Sequence, residues 1–284
     1  MYRVILATVA LAFSSVAASA STITVCASGC DYTSIQDAVD AASEGDVIEI
    51  KSPSLASQGA FIGKSITLRG EVDFDGQPTT LVTAEAPFYL TNPKMDFRME
   101  SLRFTGASGI VKANAGVENV EIANCHFEEV QGQPNDGLQG AVVYIRSRSM
   151  VIWRCRFQDC VAVDDAVVSL QGQAITIIQQ SLFTGNRGSA YTSHGTALGV
   201  FGSFPPAAGS LMIDDCVFND NQIIADKPDY ARGAAIYILG TGLFTASISN
   251  TVFSENVAVG TEGQGGAVYF DGAESGSADS LTFD

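Results

Sequence analysis

The sequence predicts an all-β fold, a right-handed parallel β-helix solenoid with a short N-terminal capping helix. Three observations predict it. One sentence is written almost twice: Cys216-Val-Phe-Asn-Asp-Asn221 followed by Arg232-Gly-Ala-Ala-Ile-Tyr-Ile238, then Thr251-Val-Phe-Ser-Glu-Asn256 followed by Gly265-Gly-Ala-Val-Tyr-Phe270. The phenylalanines Phe104, Phe127, Phe157, Phe183, Phe218, Phe253 and Phe283 recur at spacings of 23, 30, 26, 35, 35 and 30 residues. Before each comes a pair of apolar or small residues two apart, the period of a strand with one inward face. A unit of this length points to stacked repeats rather than to a closed globule.

The elements follow in order. Arg3, the apolar run Val4 to Phe13 and Ala18-Ser19-Ala20 read as a secretory signal peptide over residues 1–20. Residues 21–284 are then one β-helix domain, and no later apolar run is long enough for a membrane helix. Export permits disulfides, and Cys26 and Cys30 enclose a three-residue loop that suits a local clip. Ile35, Ala38, Val39 and Ala42 mark one face of a short helix, capped by Thr33 or Ser34 and followed by Gly45. With strands at Ile23 to Val25 and Val47 to Ile50 it forms a cap over 21–50, covering strand edges that would otherwise invite aggregation. Ile66-Thr-Leu68 is a further strand, and regular repeats run from about residue 97 to 284.

Within the repeat, columns can be assigned from each phenylalanine. Seven and five residues before it stand Phe97/Met99, Val120/Ile122, Met150/Ile152, Thr176/Ile178, Leu211/Ile213 and Ala246/Ile248. Three before it, Ser101, Asn124, Arg154, Gln180, Asp215 and Asn250 form a polar turn column. Two before it, Leu102, Cys125, Cys155, Ser181, Cys216, Thr251 and Leu281 share its parity and should stack in the core; Cys125 and Cys155 on neighbouring rungs are candidates for a disulfide. Three after it, Cys160, Asn186, Asn221 and Asn256 form a second turn column. A third strand opens with glycine or its equivalent at Gly140, Asp165, Gly195, Gly233 and Gly265. Three strands per turn, stacked about 4.8 Å apart, give the β-helix.

The net charge of −16 argues against nucleic acid and anionic membranes as partners. It leaves room for an acidic polysaccharide, because a local basic patch or bridging Ca²⁺ acts within a Debye length of about 8–10 Å. Arg146, Arg148, Arg154 and Arg156 supply such a patch, and Trp153, the only tryptophan, can stack on a sugar ring. The competing account is that these arginines are solvated strand and turn residues. Two histidines and no second pair of ligand-spaced cysteines argue against a zinc site, and no cofactor other than Ca²⁺ is implied. His126, adjacent to an inward phenylalanine, should point outward.

One column invites a chemical reading. Gln139, Asp164, His194, Arg232 and Gln264 precede the glycine position on successive rungs, with Asp136 shortly before the first and Asp165 beside the second. Two carboxylates could serve as acid and base in glycosidic-bond cleavage while His194 and Arg232 hold an acidic sugar. The same column would also look like this if it were an ordinary polar turn site.

Two family resemblances emerge from these residues. The pattern F-x-x-N at Phe183…Asn186, Phe218…Asn221 and Phe253…Asn256, followed by G-G-A-[ILV]-Y at Gly265–Tyr269, resembles the repeat of the polymorphic outer-membrane autotransporter adhesins. The opening segment Cys30-Asp-Tyr-Thr-Ser-Ile-Gln-Asp-Ala-Val39, with Asp46–Ile50 and Ile66–Gly70, resembles pectin-lyase-like β-helix proteins, a group that includes pectin methylesterases. Asn135-Asp136, Asp164-Asp165, Ser193-His194-Gly195 and Arg232 resemble the four motifs of polygalacturonases. Here the threonine of N-T-D is missing, Ser193 replaces a glycine, and Gly-Ala follows Arg232 in place of Ile-Lys. The likenesses specify a fold better than an activity.

The expectation is a secreted or cell-surface β-helix that works as a binding or adhesion scaffold for carbohydrate or another surface protein. The alternative is a polysaccharide-active enzyme, a polygalacturonase-like hydrolase before a pectate lyase or pectin esterase. Because Ser280-Leu-Thr-Phe283 starts another repeat, a further domain or chain is expected to cover the C-terminal end.

Overall fold

The computed structural model describes residues 20–106, 109–132, 140–163, 165–172, 174–189, 193–202, 209–224, 231–240, 244–260, 263–272 and 280–283. The chain winds as a parallel β-helix: among the described residues every pairing between strands is parallel, and strands pair with their counterparts one coil away. The predicted apolar pairs line the first wall, in register as Val120↔Met150↔Thr176↔Leu211↔Ala246. The phenylalanines line the second wall as Phe104↔Phe127↔Phe157↔Phe183↔Phe218↔Phe253. The glycine-led strands form the third wall, with Val143↔Val168↔Leu198↔Ile236↔Val268 in register.

The inward phenylalanine rings stack face to face, with centroids 4.6 Å apart at Phe127–Phe157 and at Phe183–Phe218. Each ring buried in this way also contributes the transfer free energy of a large apolar side chain. One contiguous hydrophobic core extends from Val25 to Ile248. At its N-terminal end the helix Ile35–Ala41 packs Ile35, Ala38 and Val39 inward. Ser34 caps the helix by accepting a hydrogen bond from the Asp37 N–H, as the sequence predicts. Lys64 does the equivalent at the other end, donating to the carbonyls of Asp40 and Ala42 at 2.8 and 2.7 Å. The Cys26–Cys30 disulfide is present.

Two corners set the shape of each coil. The column three before each phenylalanine lies in the left-handed region throughout, with φ between 49° and 58° from Ser101 to Asn250. A second left-handed column lies two residues after the phenylalanine, at Glu129, Asp159, Gly185, Asp220 and Glu255. Long side chains such as Arg154, Gln180 and Glu255 rarely adopt this conformation, so neighbouring rungs must hold them in it.

What holds the second corner is an amide ladder. The next residue turns inward, and Asn186 and Asn221 are completely buried. Nδ2 of Asn186 donates to Oδ1 of Asn221, and Nδ2 of Asn221 to Oδ1 of Asn256, both at 2.8 Å. Each amide also reaches a backbone carbonyl one coil back, Asn221 donating to Phe183 O at 3.0 Å. In return, Oδ1 of Asn186 accepts from the Cys160 N–H at 3.1 Å. The bend at this corner removes backbone partners, and the asparagines supply substitutes.

Several sequence expectations need correction. After the amide corner comes a fourth wall, Val161–Val163, Arg187–Ser189, Gln222–Ile224 and Val257–Val259, so a regular coil has four strands rather than the three expected. With one inward residue each, these strands are too short to show alternation. Cys125 and Cys155 are free and buried, like Cys160 and Cys216. Their thiols point at carbonyls, Cys155 Sγ lying 3.3 Å from Ile122 O, and burial raises Cys155 and Cys160 to about 12. Phe283 does not join the phenylalanine stack. It pairs with Ile248, and Leu281 with Ala246, because an apolar pair two apart satisfies the first wall as well as the second. The coil also starts well before residue 97, with Ser54–Ser57 already paired to Thr80–Ala84.

Replacing Asn221 with alanine leaves Phe183 O and the Asn186 amide without their partner. At roughly 1–3 kcal/mol per orphaned buried group, the expected loss is about 2–6 kcal/mol. Urea denaturation should show it, with a smaller loss for Asn256→Ala, whose side chain is only half-buried.

Candidate functional site

The proposed catalytic column is positioned by the glycines that open the third strands. Gly195 and Gly265 have φ of +77° and +65°, and a Cβ there would lie 2.7 Å from the carbonyls of Leu198 and Val268. Glycine is required at Gly195 and Gly265 by this geometry, whereas Asp165, in the same slot one coil earlier, does not have the positive φ. The residues before these glycines form a short sheet of their own, in which Ser193–His194 pairs with Ala231–Arg232 and Arg232 bridges to Gln264. His194, Arg232 and Gln264 are thus successive steps of one column, matching the sequence spacing. Asp136 and Asp164 lie outside the described residues, and His194 is placed by its strand register.

Arg232 is engaged with the third wall. Its guanidinium carbon sits 5.1 Å from the Tyr269 ring centroid, and Nη1 is 3.7 Å from Asp271 Oδ2. Tyr269 in turn stacks on Tyr237 at 5.7 Å. This packing explains an arginine in the column without any substrate.

Asp165 occupies the glycine slot one coil before Gly195. It is only 5% exposed; Oδ1 accepts from the Ala166 N–H at 2.7 Å, while Oδ2 has no hydrogen bond among the described residues. Burial raises its pKa to about 7, against the opposing effects of the Ala166 N–H and the Ser169 hydroxyl. The raised acid also pushes up the Tyr144 phenol, whose own burial is the larger cause. Lys112, Tyr144 and Ser169 stand in register on three adjacent coils, all buried, and burial lowers the Lys112 ammonium to about 8. An acid poised near neutrality has the pKa of a general acid. Its burial, however, keeps it from a polymeric substrate. The sequence offered one weak sign of this buried row: Lys112 stands where later coils carry Tyr144, Tyr237 and Tyr269.

Two surface clefts carry arginines of the expected basic patch. At the far edge of the third wall, Arg146, Gln171, Phe201 and Leu239 stand in register beside Gly172 and Gly202, around a cleft of about 400 Å³. At the corner between the first and second walls, Trp153 and Arg154 line a cavity of about 370 Å³. The four arginines read as one patch are therefore divided. Arg146 lines the first cleft, Arg148 pairs with Glu118 at 2.9 Å, and Arg154 lies over Trp153 at 4.5 Å. Arg156 lies on the second wall in a row with His126 and Arg103. His126 follows the outward parity expected of it but is half-buried, and burial, aided by Arg156, lowers its pKa.

Fold and surface together define a class, a repeat-built parallel β-helix with clefts on its outer faces. Residues 250–271 match the Chlamydia polymorphic membrane protein repeat. The matched segment is most of one coil, running from the turn before Phe253 through Asn256 to the glycine-led strand Val268–Asp271 and leaving out the first-wall strand Phe244–Ser249. Neither a curated protein nor a solved structure matches the chain.

Asp165 makes the stability of the fold depend on pH. Its folded pKa lies above the ordinary 3.8, so the folded state keeps a proton that the unfolded state releases. Stability therefore falls as pH rises from about 4 to about 7 and levels off beyond. Asp165→Asn should remove that slope, raising the melting temperature at pH 8 and leaving it nearly unchanged at pH 4. Each tenfold difference in proton affinity between the two states corresponds to about 1.4 kcal/mol, so the gain is a few kcal/mol at most.

Proposed function

We propose that the protein is a cell-surface β-helix that works as a binding or adhesion scaffold, exported by the signal peptide at 1–20 and recognising carbohydrate or another surface protein. The observation that carries this reading is the repeat match at 250–271, which falls on a regular coil and belongs to a family named for membrane proteins. The regular interior supports it. The phenylalanine stack and amide ladder make a stiff rod, and the residues that vary from coil to coil lie outside. A binding rod uses its exterior in just this way.

The polygalacturonase-like alternative draws on the column of His194 and Arg232, with Asp136, Asp164 and Asp165 as its carboxylates. It is weakened by the packing of Arg232 on Tyr269 and by the burial of Asp165. A pectate lyase or pectin esterase reading gains nothing from the geometry. The test pairs two assays on the purified protein. Saturable binding to intact cells or to immobilised cell-surface glycans is expected, with no reducing ends released from polygalacturonate. Release of reducing ends that disappears in Arg232→Ala would overturn the scaffold reading, as would the absence of any saturable binding.

A further inference from the structure

The corner cavity beside Trp153 has the features of a built site. It exists because of a size mismatch along one column. Glu100, Ala123 and Trp153 are in register on three successive coils, so the small Ala123 leaves a gap of about 9–10 Å between its larger neighbours. A hairpin closes the side of that gap. Val72 bridges Pro78, Asp73 Oδ1 accepts from the Asp75 and Gln77 N–H groups, and Asn124 Nδ2 reaches across to Gly76 O at 2.9 Å. The resulting volume of about 370 Å³ is within the range of small-ligand sites.

The charges around the cavity are unevenly committed. Glu100 is neutralised by ion pairs with Arg69 and with Arg98, the latter at 2.7 Å. Arg154 uses only Nε, donating to Gln180 Oε1 at 3.1 Å, and its two terminal nitrogens make no hydrogen bond among the described residues. Its guanidinium already lies on the Trp153 ring, which disfavours a second cation there and leaves a forked donor for an anion. Asp75, Gln77 and the Asn124 carbonyl line the same space and can accept from hydroxyls. A forked cation, an indole and several acceptors within one cavity match a single chemistry.

We infer that this cavity binds the carboxylate-bearing sugar unit of an acidic glycan, with Arg154 gripping the carboxylate, Trp153 packing on the ring, and Asn124 and the hairpin taking the hydroxyls. The inference rests on the binding-scaffold reading and places the ligand at a corner remote in register from the His194–Arg232 column. The chain's net charge of −16 opposes an acidic ligand at a distance but is screened beyond about 8–10 Å at physiological salt. A contact with Arg154 is made inside that length.

The chain has one tryptophan, so its fluorescence reports on this cavity alone. Titration with sodium glucuronate should change the Trp153 emission saturably in the millimolar range, and glucose should require at least tenfold more. Arg154→Gln should weaken the glucuronate response at least tenfold without unfolding the corner, because Gln180 occupies the same left-handed slot with φ 52°. Asn124→Ser should weaken both sugars by releasing the hairpin, while the corner holds because Ser101 already fills the same slot one coil earlier at φ 58°. No saturable change, an equal response to glucose, or an undiminished response in folded Arg154→Gln would overturn the site. Cell binding by the unsubstituted protein with no saturable glucuronate response would remove this site and leave the scaffold reading standing. A sugar response with no cell binding would do the reverse.

Discussion

Asn221 is enclosed between two other asparagines, and the coil geometry depends on that contact. A parallel β-helix must turn its backbone sharply several times per coil, and each turn breaks the ladder that would satisfy its polar groups. Here the left-handed residues Asp159, Gly185, Asp220 and Glu255 make the turn, while Asn186, Asn221 and Asn256 repair it from the inside. A left-handed conformation at a non-glycine residue costs of order 1–3 kcal/mol, and the amide bonds to buried carbonyls offset a cost of that size. The phenylalanine stack cannot substitute, because apolar packing is non-directional and would tolerate a slipped register. The amides fix which rung faces which.

That division of labour explains how much of the structure the sequence discloses. The phenylalanine and apolar-pair columns and the first left-handed column are readable because each recurs once per coil with one residue type or one polarity, whereas the second turn, expected at Asn186 and Asn221, falls one residue earlier and leaves those asparagines buried. The fourth wall is not readable, since Val161–Val163 or Gln222–Ile224 offers only a single inward residue. Phe283 misleads for a related reason: Leu281 and Phe283 suit either of two walls, and the pairing of neighbours decides between them. The sequence places His194 and Arg232 in one column correctly but gives no sign that Arg232 is spent on Tyr269 and Asp271. The Trp153 cavity is harder still. It joins a hairpin at 71–79 to a corner some 48 residues later, and its cause is the small side chain of Ala123.

The exterior also has an energetic logic. Interior positions are tied to neighbours above and below, so a change there propagates along the rod. Exterior positions such as Trp153, Arg146 or Phe201 vary from coil to coil, and clefts arise where a small residue sits between large ones. Asp165 shows the cost of variation at a constrained slot. A carboxyl stands where later coils have glycine, and its burial holds it partly protonated near neutral pH. A scaffold that recognises ligands through variable exterior columns keeps its interior fixed for the same reason.

The central claim is that rungs are coupled through the amides and not only through apolar burial. A double-mutant cycle across Asn186→Ala and Asn221→Ala, followed by urea denaturation, measures that coupling directly. Their side chains meet at 2.8 Å, so the two losses should be non-additive by about 1–2 kcal/mol. Losses that simply add, within about 0.5 kcal/mol, would contradict a ladder that acts as a unit.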